Sequence, residues 1–263
     1  MQDLNISLVQ TSLAWEDPAA NLKHFGEMIS SLAEPTDLTL LPEMFNTGFT
    51  MNTEENAEEM NGHTVMWMAE MASEKQCVIC GSLIIHENGR YFNRLVWMRP
   101  DGSHAYYDKK HLFRMGDEHL HFTAGTKRLV VELKGWHIMP LVCYDLRFPV
   151  WSKNEYRDDT YVFDLLLYVA NWPEARSLAW TSLLTGRAIE NMAYAVGVNR
   201  IGKDGRGYEY NGRSMIAAPD GQTILDIPAG RDMISTVTLK ADAMLELRAK
   251  MGVGNDWDKF ELF

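Results

Sequence analysis

An apolar run that ends in a cysteine constrains this chain more than any other sequence feature. Residues 138–142 are Ile-Met-Pro-Leu-Val, Cys143 follows, and the apolar pattern stops at Tyr144. The run predicts a buried strand ending at Cys143, then a sharp turn, with Pro149 at the start of a helix. A strand-to-helix turn presents a nucleophile and places backbone N–H donors beside it. Since a free cysteine is more often a small core residue, the interpretation depends on the rest of the chain.

Composition limits the class of protein. The 263 residues are 46% hydrophobic and 23% charged, which is ordinary for a globular protein. A formal net charge of -11 argues against nucleic acid and anionic membranes as partners, although a local cation can still hold a small anionic substrate. Three cysteines, an odd count, fit a reducing compartment without a disulfide framework. With no signal-peptide pattern and no run of about 18 apolar residues, we expect a cytoplasmic protein.

Strand and helix patterns mix along the whole chain. Apolar and alternating segments predict strands over residues 4–9, 37–41, 77–85, 91–98, 104–109, 129–133, 137–143, 163–170, 194–199, 213–218, 223–227 and 234–239. Helices are predicted from Asp17-Pro18 onward and over 64–75, 177–192 and 241–250, with a polar surface loop over 48–62. Tight turns at 87–89 and 101–102 favour mixed sheets. We expect an α/β fold of two packed sheets with helices outside, as a single domain over residues 1–263.

Two clusters of potential metal ligands have unfavourable spacing. Cys77 and Cys80 form a C-x-x-C, but on a strand positions i and i+3 point to opposite faces, which argues against metal or redox chemistry. His111, His119 and His121 crowd one segment without a second ligand cluster at zinc spacing. We therefore expect no metal site, and hydrogen-bonding or surface roles for these histidines.

Side chains at three predicted strand ends could together perform acyl transfer. A nucleophilic thiol needs a base to remove its proton and a cation or N–H pair to hold the oxyanion. Glu43 follows an apolar strand and a proline, where an acidic side chain is a candidate general base. Lys109 and Lys110 close another predicted strand. Cys143, Glu43 and one of the two lysines supply the complete set without a histidine.

Three motifs resemble the signatures of the nitrilase, or carbon–nitrogen hydrolase, superfamily, and they occur in the family's order. Leu40-Leu41-Pro42-Glu43-Met44-Phe45 resembles the segment that carries the catalytic glutamate. Lys109-Lys110-His111-Leu112-Phe113 resembles K-x-H-L-F, which puts the family's catalytic lysine on Lys109. Cys143-Tyr144-Asp145-Leu146-Arg147-Phe148-Pro149 resembles C-Y-D-x-R-F-P, which contains the nucleophile.

The resemblance extends over most of the chain. Similar segments are 187–191 (R-A-x-E-N), 199–202 (N-R-x-G) and the region of Ser214 and Asp220-Gly221. The resemblance implies a four-layer α-β-β-α sandwich, homodimers or higher homo-oligomers that pair through helices, and no cofactor. It also implies that Glu118, seven residues before Gly125, supports the lysine or the substrate, and that the Tyr144 backbone N–H is an oxyanion donor.

Within the superfamily, residues 113–119 and 171–173 are similar to bacterial ω-amidases. Those enzymes hydrolyse the terminal amide of 2-oxoglutaramate or 2-oxosuccinamate, so the resemblance implies hydrolysis of such amides through a cysteine thioester, with release of ammonia. A substrate carboxylate needs a cation, and an arginine fork suits it better than a lysine. We expect Arg176 to bind that carboxylate and Trp172 to line the pocket, whereas Arg147 and Arg187 brace the fold.

Three alternatives stay open at this point. Another amidase of the superfamily, such as a deaminated glutathione amidase, would keep the thiol chemistry and change the substrate. A non-catalytic binding module would have no need for Glu43, Lys109 and Cys143 together. A Cys–His hydrolase would need a histidine near Cys143, and His111 and His137 are the candidates.

Overall fold

Near-continuous apolar runs form the central strands, because a strand covered on both faces has no polar side. The computed structural model describes residues 1–262. In chain order the strands are β1 (Leu4–Gln10), β2 (Leu38–Leu40), β3 (Val78–Glu87), β4 (Arg90–Met98), β5 (His104–Asp108), β6 (Val131–Leu133), β7 (Trp136–Val142), β8 (Tyr156–Arg157), β9 (Thr160–Tyr161), β10 (Leu165–Ala170), β11 (Tyr194–Asn199), β12 (Ile201–Lys203), β13 (Glu209–Asn211), β14 (Met215–Ala217), β15 (Thr223–Asp226) and β16 (Met233–Leu239).

Two sheets of six strands each have a parallel centre and antiparallel edges. The first has the order β16-β1-β2-β3-β4-β5, in which β1, β2 and β3 are parallel neighbours. The second has the order β15-β14-β11-β10-β7-β6, in which β7, β10 and β11 are parallel neighbours. The predicted turns at 87–89 and 101–102 join β3 to β4 and β4 to β5 as antiparallel hairpins. The prediction of mixed sheets is therefore confirmed.

Helices cover the outer faces of the sheets. In chain order they are α1 (Pro18–Ser30), α2 (Thr53–Asn56), α3 (His63–Lys75), α4 (Glu118–His121), α5 (Ser177–Asn191) and α6 (Ala241–Met251). Asp17 caps α1 by accepting the Ala20 N–H at 3.0 Å, with Pro18 in the first turn as predicted. Within residues 1–262, none of the helices combines the length and the apolarity that a membrane crossing requires.

Two apolar cores hold these layers together. The larger lies between the sheets and continues to α5, with Trp97 and Trp180 fully buried. The smaller lies between the first sheet and the helices α1 and α3, and Phe25 belongs to it. Cys80 lies in the larger core and Cys77 in the smaller, so the two thiols point to opposite faces, as predicted. The order of layers is α-β-β-α, which confirms the expected fold class.

Two local predictions were wrong. β7 ends at Val142, and Cys143–Arg147 forms a 3-10 helix. Pro149 starts no helix, because the chain has already turned and Phe148 has φ -114° and ψ 88°, as the restriction before a proline favours. Residues 48–62 are not simply a polar surface loop, since α2 lies among them and Phe49 is buried in a small apolar cluster.

Two small hairpins were not predicted from the sequence. β8 pairs with β9 over two residues each, and β12 pairs with β13 over three. Strands this short contain too few residues to show an alternating pattern. The β12–β13 hairpin matters for function, because residues of its turn line the pocket described below.

Candidate active site

Strand ends from both sheets meet at one place in the sandwich. Glu43 lies three residues beyond β2, and Lys109 directly follows β5. In the second sheet, Cys143 directly follows β7 and Asn171 directly follows β10. Loops at the carboxyl ends of parallel strands are where α/β folds build their sites. The structure brings Glu43, Lys109 and Cys143 together, and all three are buried.

The backbone at the thiol has an uncommon conformation. Cys143 has φ 43°, in the left-handed region that residues with a Cβ rarely adopt. Such strain persists only where surrounding contacts impose it, and it concentrates at active sites. The chain turns from β7 into the 3-10 helix at the cysteine itself, and Cys143 Sγ lies 3.8 Å from the Asn171 carbonyl oxygen. The turn thus presents the thiol at the strand end.

A fully buried carboxylate, Asp145, holds this turn in place. Asp145 Oδ2 accepts the Val142 N–H at 3.2 Å and the Tyr107 hydroxyl at 2.8 Å. Asp145 Oδ1 accepts the His111 N–H at 3.0 Å and lies 2.7 Å from His111 Nδ1. The aspartate therefore ties the turn at Cys143 to the segment that follows Lys109.

Lys109 lies between two buried carboxylates. Its Nζ is 2.8 Å from Glu43 Oε1 and 2.9 Å from each oxygen of Glu118. Glu118 is fully buried and also accepts the Phe113 N–H at 2.5 Å. These contacts with two carboxylates restrict the rotation of the ammonium group. Glu118 thus lies beside the lysine, where the resemblance had placed a supporting residue.

Each carboxylate oxygen of Glu43 has fixed partners. Besides Lys109, Oε1 accepts Asn93 Nδ2 at 2.9 Å, and the same amide donates to Glu118 Oε1 at 3.0 Å. Oε2 accepts the Asn171 N–H at 2.8 Å, and the Asn171 side chain donates to the Glu43 carbonyl at 2.5 Å. An ionised carboxylate offers about four lone-pair sites. The donors within residues 1–262 occupy three of these sites on Glu43, so one acceptor site stays free, on Oε2.

The charges of this cluster determine its protonation. Burial lowers the pKa of Lys109, but the carboxylates of Glu118 and Glu43 outweigh it and raise that pKa above its ordinary value. Burial raises the pKa of the Cys143 thiol well above its ordinary value, and the Glu43 charge adds to the rise while Lys109 opposes it. The resting state is a charged lysine beside a neutral thiol. A thiol in this state needs a base before it can act as a nucleophile.

A pocket opens over the thiol, with about 720 Å³ of space including its solvent-filled mouth. Trp172 is buried in its wall, and its Nε1 donates to the Arg176 carbonyl at 2.8 Å. The Arg176 guanidinium lies 5.3 Å from the centre of the Phe113 ring. The predicted pocket residues all line it, together with others from both sheets: Phe49, Tyr144, Arg147, Asn171, Pro173, Asp204, Arg206, Tyr208 and Tyr210.

The prediction for Arg147 was wrong, and that for Arg187 was right. Arg147 is exposed, lines the pocket and lies 4.9 Å from the centre of the Trp172 ring. It ends the 3-10 helix that begins at Cys143, and this helix directs it to the pocket. Arg187 is buried in α5 and donates to the Leu146 carbonyl at 2.7 Å, so it braces the 3-10 helix that begins at Cys143.

The later motif segments position the pocket wall. Asn199 Oδ1 accepts the Trp172 N–H at 2.8 Å, and Asn199 Nδ2 donates to the Trp172 carbonyl at 3.0 Å. The Ser214 hydroxyl accepts the Asn199 N–H at 3.0 Å, and Gln10 Oε1 accepts the Ser214 N–H at 2.9 Å. These residues hold the chain that follows β10 and do not line the pocket themselves.

Sequence reasoning missed two parts of the site. Asn93 lies inside β4 and looks like an ordinary strand residue. The pairing of β4 with the end of β5 would have identified it, since the Lys109 N–H donates to the Asn93 carbonyl at 3.0 Å. The β12–β13 hairpin contributes Asp204, Arg206 and Tyr208 to the pocket, and the Asp204-Gly205 dipeptide in its turn is the signal that could have marked it.

The two candidate histidines are occupied elsewhere. His111 Nδ1 faces Asp145, and its ring stacks on Phe148 at 3.7 Å. His137 lies near the start of β7, at the opposite end of the strand from Cys143, and is 3.5 Å from Asp164. Within residues 1–262, no group of three or more His, Cys, Asp or Glu side chains could hold a metal ion. The geometry favours the glutamate-based set over a Cys–His pair.

Known sequences match the chain over its length. A family model described as carbon-nitrogen hydrolase matches residues 5–249. The omega-amidase YafV of Escherichia coli (strain K12) is 44% identical over 263 residues, with both chains covered completely. The 2-oxoglutaramate amidase of Bacillus subtilis (strain 168) is 31% identical over 224 residues, which are 84% of this chain and 85% of the relative.

Solved structures match the fold. XC1258 from Xanthomonas campestris, a CN-hydrolase superfamily protein with an arsenic adduct in its active site, has a TM-score of 0.98 at 45% identity over the whole of both chains. Nit3 of Saccharomyces cerevisiae, a member of branch 10 of the nitrilase superfamily, has a TM-score of 0.83 at 22% identity, covering 95% of this chain and 94% of that one. The second likeness concerns the fold alone.

Proposed function

Because the chain belongs to the carbon–nitrogen hydrolase family and is an amide hydrolase, we propose that Cys143, Glu43 and Lys109 are its nucleophile, general base and oxyanion cation. The observation that carries the proposal is the buried 2.8 Å contact of Lys109 with Glu43, beside a thiol on a strained turn. Buried ion pairs cost desolvation energy, and perturbed groups in a pocket are typical of catalytic sites. Their placement next to a thiol therefore supports a chemical role.

The enzyme hydrolyses the terminal amide of short 2-oxo acids. Support comes from its relatives, an omega-amidase at 44% identity and a 2-oxoglutaramate amidase at 31%. The pocket fits such a substrate, since aromatic and arginine side chains line its mouth and the thiol lies at its base. A short linear substrate can place its carboxylate on an arginine while its amide reaches Cys143.

Acylation begins at Glu43 Oε2, the carboxylate oxygen with an acceptor site to spare. This oxygen takes the thiol proton while Cys143 Sγ bonds to the amide carbonyl carbon, and the carbonyl electrons move to its oxygen. Lys109 Nζ and the Tyr144 backbone N–H hold the resulting oxyanion. One such donor is worth roughly 3–4 kcal/mol in the transition state. Glu118 supports this step by keeping the Lys109 ammonium in place.

Ammonia release and hydrolysis use the same groups. Protonated Glu43 gives its proton to the amide nitrogen, the C–N bond breaks, and ammonia leaves a thioester on Cys143. Glu43 then removes a proton from water, whose oxygen attacks the thioester carbonyl. The second tetrahedral intermediate collapses with breakage of the C–S bond, and the thiol recovers its proton from Glu43. The products are the 2-oxo diacid and ammonia.

Two arginines support recognition of the substrate carboxylate. Arg176 and Arg147 both line the pocket, and each guanidinium lies over an aromatic ring of the wall. A guanidinium fork binds a carboxylate through two parallel N–H donors. Binding energy from this remote group orients the amide against Cys143 and so lowers the barrier. We therefore assign the carboxylate to Arg176 and Arg147, with Trp172 as the wall beside them.

Assembly and location complete the proposal. The outer side of α5 carries exposed apolar side chains, with Leu178 at 81% and Ile189 at 49% exposure. An apolar helix face of this kind supports a homodimer that pairs through helices. All three cysteines are free thiols, which supports a reducing compartment and hence the cytoplasm.

The test is a panel of amides assayed with the purified enzyme: 2-oxoglutaramate, 2-oxosuccinamate, glutamine, asparagine, deaminated glutathione and a simple nitrile. Cys143→Ala should abolish turnover and remove the acyl-enzyme mass in quenched samples. Cys77→Ala changes a buried thiol outside the pocket and should retain both. Arg176→Ala should lower kcat/KM for the two oxo-amides by about 100-fold, since it removes one partner of a charge pair.

The two parts of the proposal can fail separately. Full activity of Cys143→Ala would contradict the thioester mechanism. A preference for deaminated glutathione or for the nitrile would contradict the substrate and leave the thiol chemistry in place.

A further inference from the structure

Tyr210 is a buried residue of the pocket to which the proposed mechanism gives no role. It lines the pocket and is 5% exposed, comparable with Cys143 at 7%, whereas Arg147 and Arg206 are exposed at the mouth. The Arg200 guanidinium, itself fully buried, lies 4.8 Å from the centre of the Tyr210 ring. This burial groups Tyr210 with the thiol at the base of the pocket and not with the arginines of the mouth.

The proton of the Tyr210 hydroxyl is held by a carboxylate. The hydroxyl donates to Asp204 Oδ2 at 2.8 Å, and Asp204 Oδ1 accepts the backbone N–H groups of Arg206 and Tyr208, both at 2.9 Å. Burial and the charge of Asp204 raise the pKa of Tyr210 above its ordinary value, so the phenol stays protonated. A hydroxyl has one proton and two lone pairs. Toward a ligand, the Tyr210 oxygen therefore offers only acceptor sites, and the hydrogen bond to the carboxylate makes this oxygen a stronger acceptor.

We infer that Tyr210 is a further catalytic residue, which accepts an N–H of the substrate's primary amide and stabilises the departing ammonia. The inference rests on the proposed function. The amide nitrogen carries the N–H donors of a 2-oxo acid ω-amide, whereas its carbonyl, 2-oxo and carboxylate oxygens are acceptors. Glu43 gives its proton to this nitrogen, which becomes positively charged; the C–N bond then breaks with its electron pair on nitrogen, and Tyr210 keeps its own proton. The hydrogen bond to Tyr210 is strongest while the nitrogen is charged, so it lowers the barrier to bond cleavage.

The experiment compares an amide with an ester of the same acid. 2-Oxoglutaramate and the ω-methyl ester of 2-oxoglutarate form the same Cys143 thioester and the same diacid, but the ester leaving group has no N–H, and kcat/KM reports the acylation step in which they differ. Tyr210→Phe should lower kcat/KM for the amide by about 10- to 100-fold, the effect of one hydrogen bond to a charged group, and change it for the ester by less than about 3-fold. Tyr194→Phe is the matched control, since Tyr194 is 4% exposed, lies outside the pocket and donates to the Lys240 carbonyl at 3.1 Å. It should leave the amide-to-ester ratio of kcat/KM unchanged.

A second variant, Asp204→Asn, reverses the direction of the same hydroxyl. Two backbone N–H groups face Oδ1 and require an acceptor there, so the oxygen of the new amide stays at that place and its NH2 group faces Tyr210. This NH2 group donates to the Tyr210 oxygen, and the phenol proton is then free to turn toward the pocket. A donor at this place opposes the substrate N–H and suits the ester oxygen. The amide-to-ester ratio should therefore fall further than in Tyr210→Phe, while kcat/KM for the ester is retained.

The outcomes separate the inference from the function on which it rests. Equal losses for amide and ester in Tyr210→Phe would show that the hydroxyl only supports the fold of the pocket, and the inference would be overturned. A native amide-to-ester ratio in Asp204→Asn would overturn it as well. Failure of the proposed function has a different signature, because the native enzyme would then form no Cys143 thioester from either compound, and the inference would fall with it.

Discussion

Asp145→Asn tests how the nucleophile turn is built. The substitution keeps shape and volume but turns an acceptor-only carboxylate into an amide with two N–H donors. Each carboxylate oxygen now faces one backbone N–H, from Val142 on one side and from His111 on the other. Backbone donors cannot become acceptors. Whichever way the new amide points, its NH2 group therefore faces a backbone N–H in a fully buried place.

The magnitude follows from these contacts. The Tyr107 hydroxyl and His111 Nδ1 can adapt, because a hydroxyl rotates and an imidazole can change tautomer. One buried backbone N–H is left without an acceptor, which costs about 1–3 kcal/mol, and the remaining bonds lose their charge assistance. We expect the free energy of unfolding to fall by about 3 kcal/mol. Because Cys143 is strained and this carboxylate holds its turn, kcat should fall about 10- to 100-fold while KM changes little.

Urea unfolding followed by tryptophan fluorescence gives the stability change, and steady-state ammonia release gives kcat and KM well below the melting temperature. Asp220→Asn is the matched control, since Asp220 is exposed in a turn and accepts the Gln222 N–H at 2.9 Å. The control should be nearly neutral in both assays. If Asp145→Asn keeps native stability and kcat, the carboxylate does not hold the turn and the reasoning is refuted.

Other predictions concern the charged cluster. Glu118→Gln leaves Lys109 one fixed acceptor fewer, so kcat should fall about 100-fold with little change in KM; an unchanged kcat would show that the lysine needs no second carboxylate. Glu43→Gln removes a charge that raises the pKa of Cys143, so turnover should be lost and the pH curve for alkylation of Cys143 by iodoacetamide should move to lower pH. A move of that curve to higher pH would show that the Glu43 charge does not raise the pKa of the thiol. Lys109 has a higher pKa in the folded protein than its ordinary value of 10.5. The stability that its charge contributes is therefore fully present below pH 10.5 and is lost only as the pH rises above that value. The free energy of unfolding, measured between about pH 6 and pH 9, should therefore contain no pH-dependent step that disappears in Lys109→Met.

Local pattern was enough to predict the central strands and to propose Glu43, Cys143 and one lysine of the pair Lys109-Lys110, whereas the family resemblance selected Lys109. The runs that became β7 and β10 are apolar throughout, because both faces of those strands are buried. Glu43 and Cys143 each stand where an apolar pattern ends, Lys109 follows a more polar strand, and strand ends are places where a side chain can leave the core. Contiguous residues contain this information, so it can be read without knowing which strands pair.

Direction and pairing could not be predicted in the same way. Arg147 was expected to brace the fold because it lies in a motif segment, whereas the 3-10 helix that begins at Cys143 turns it to the pocket. Asn93 reaches Glu43 only because β4 pairs with β5 in one register. Asp204 and Arg206 depend on a hairpin of three-residue strands. In each case the position of the side chain depends on a contact between residues distant in sequence or on one backbone angle. The periodicity of apolar residues along the chain contains neither kind of information.

The hydrogen bonds between the sheets explain why this chemistry needs the whole sandwich. Glu43 belongs to the first sheet and Asn171 to the second, and they are joined in both directions, by the Asn171 N–H to Oε2 and by the Asn171 side chain to the Glu43 carbonyl. Cys143 Sγ lies next to the same Asn171 carbonyl. The proposed base and the proposed nucleophile therefore both contact Asn171, and the buried setting strengthens those hydrogen bonds because water does not compete for them. A change that lets the sheets slide would separate Glu43 from Cys143 before it unfolded either sheet.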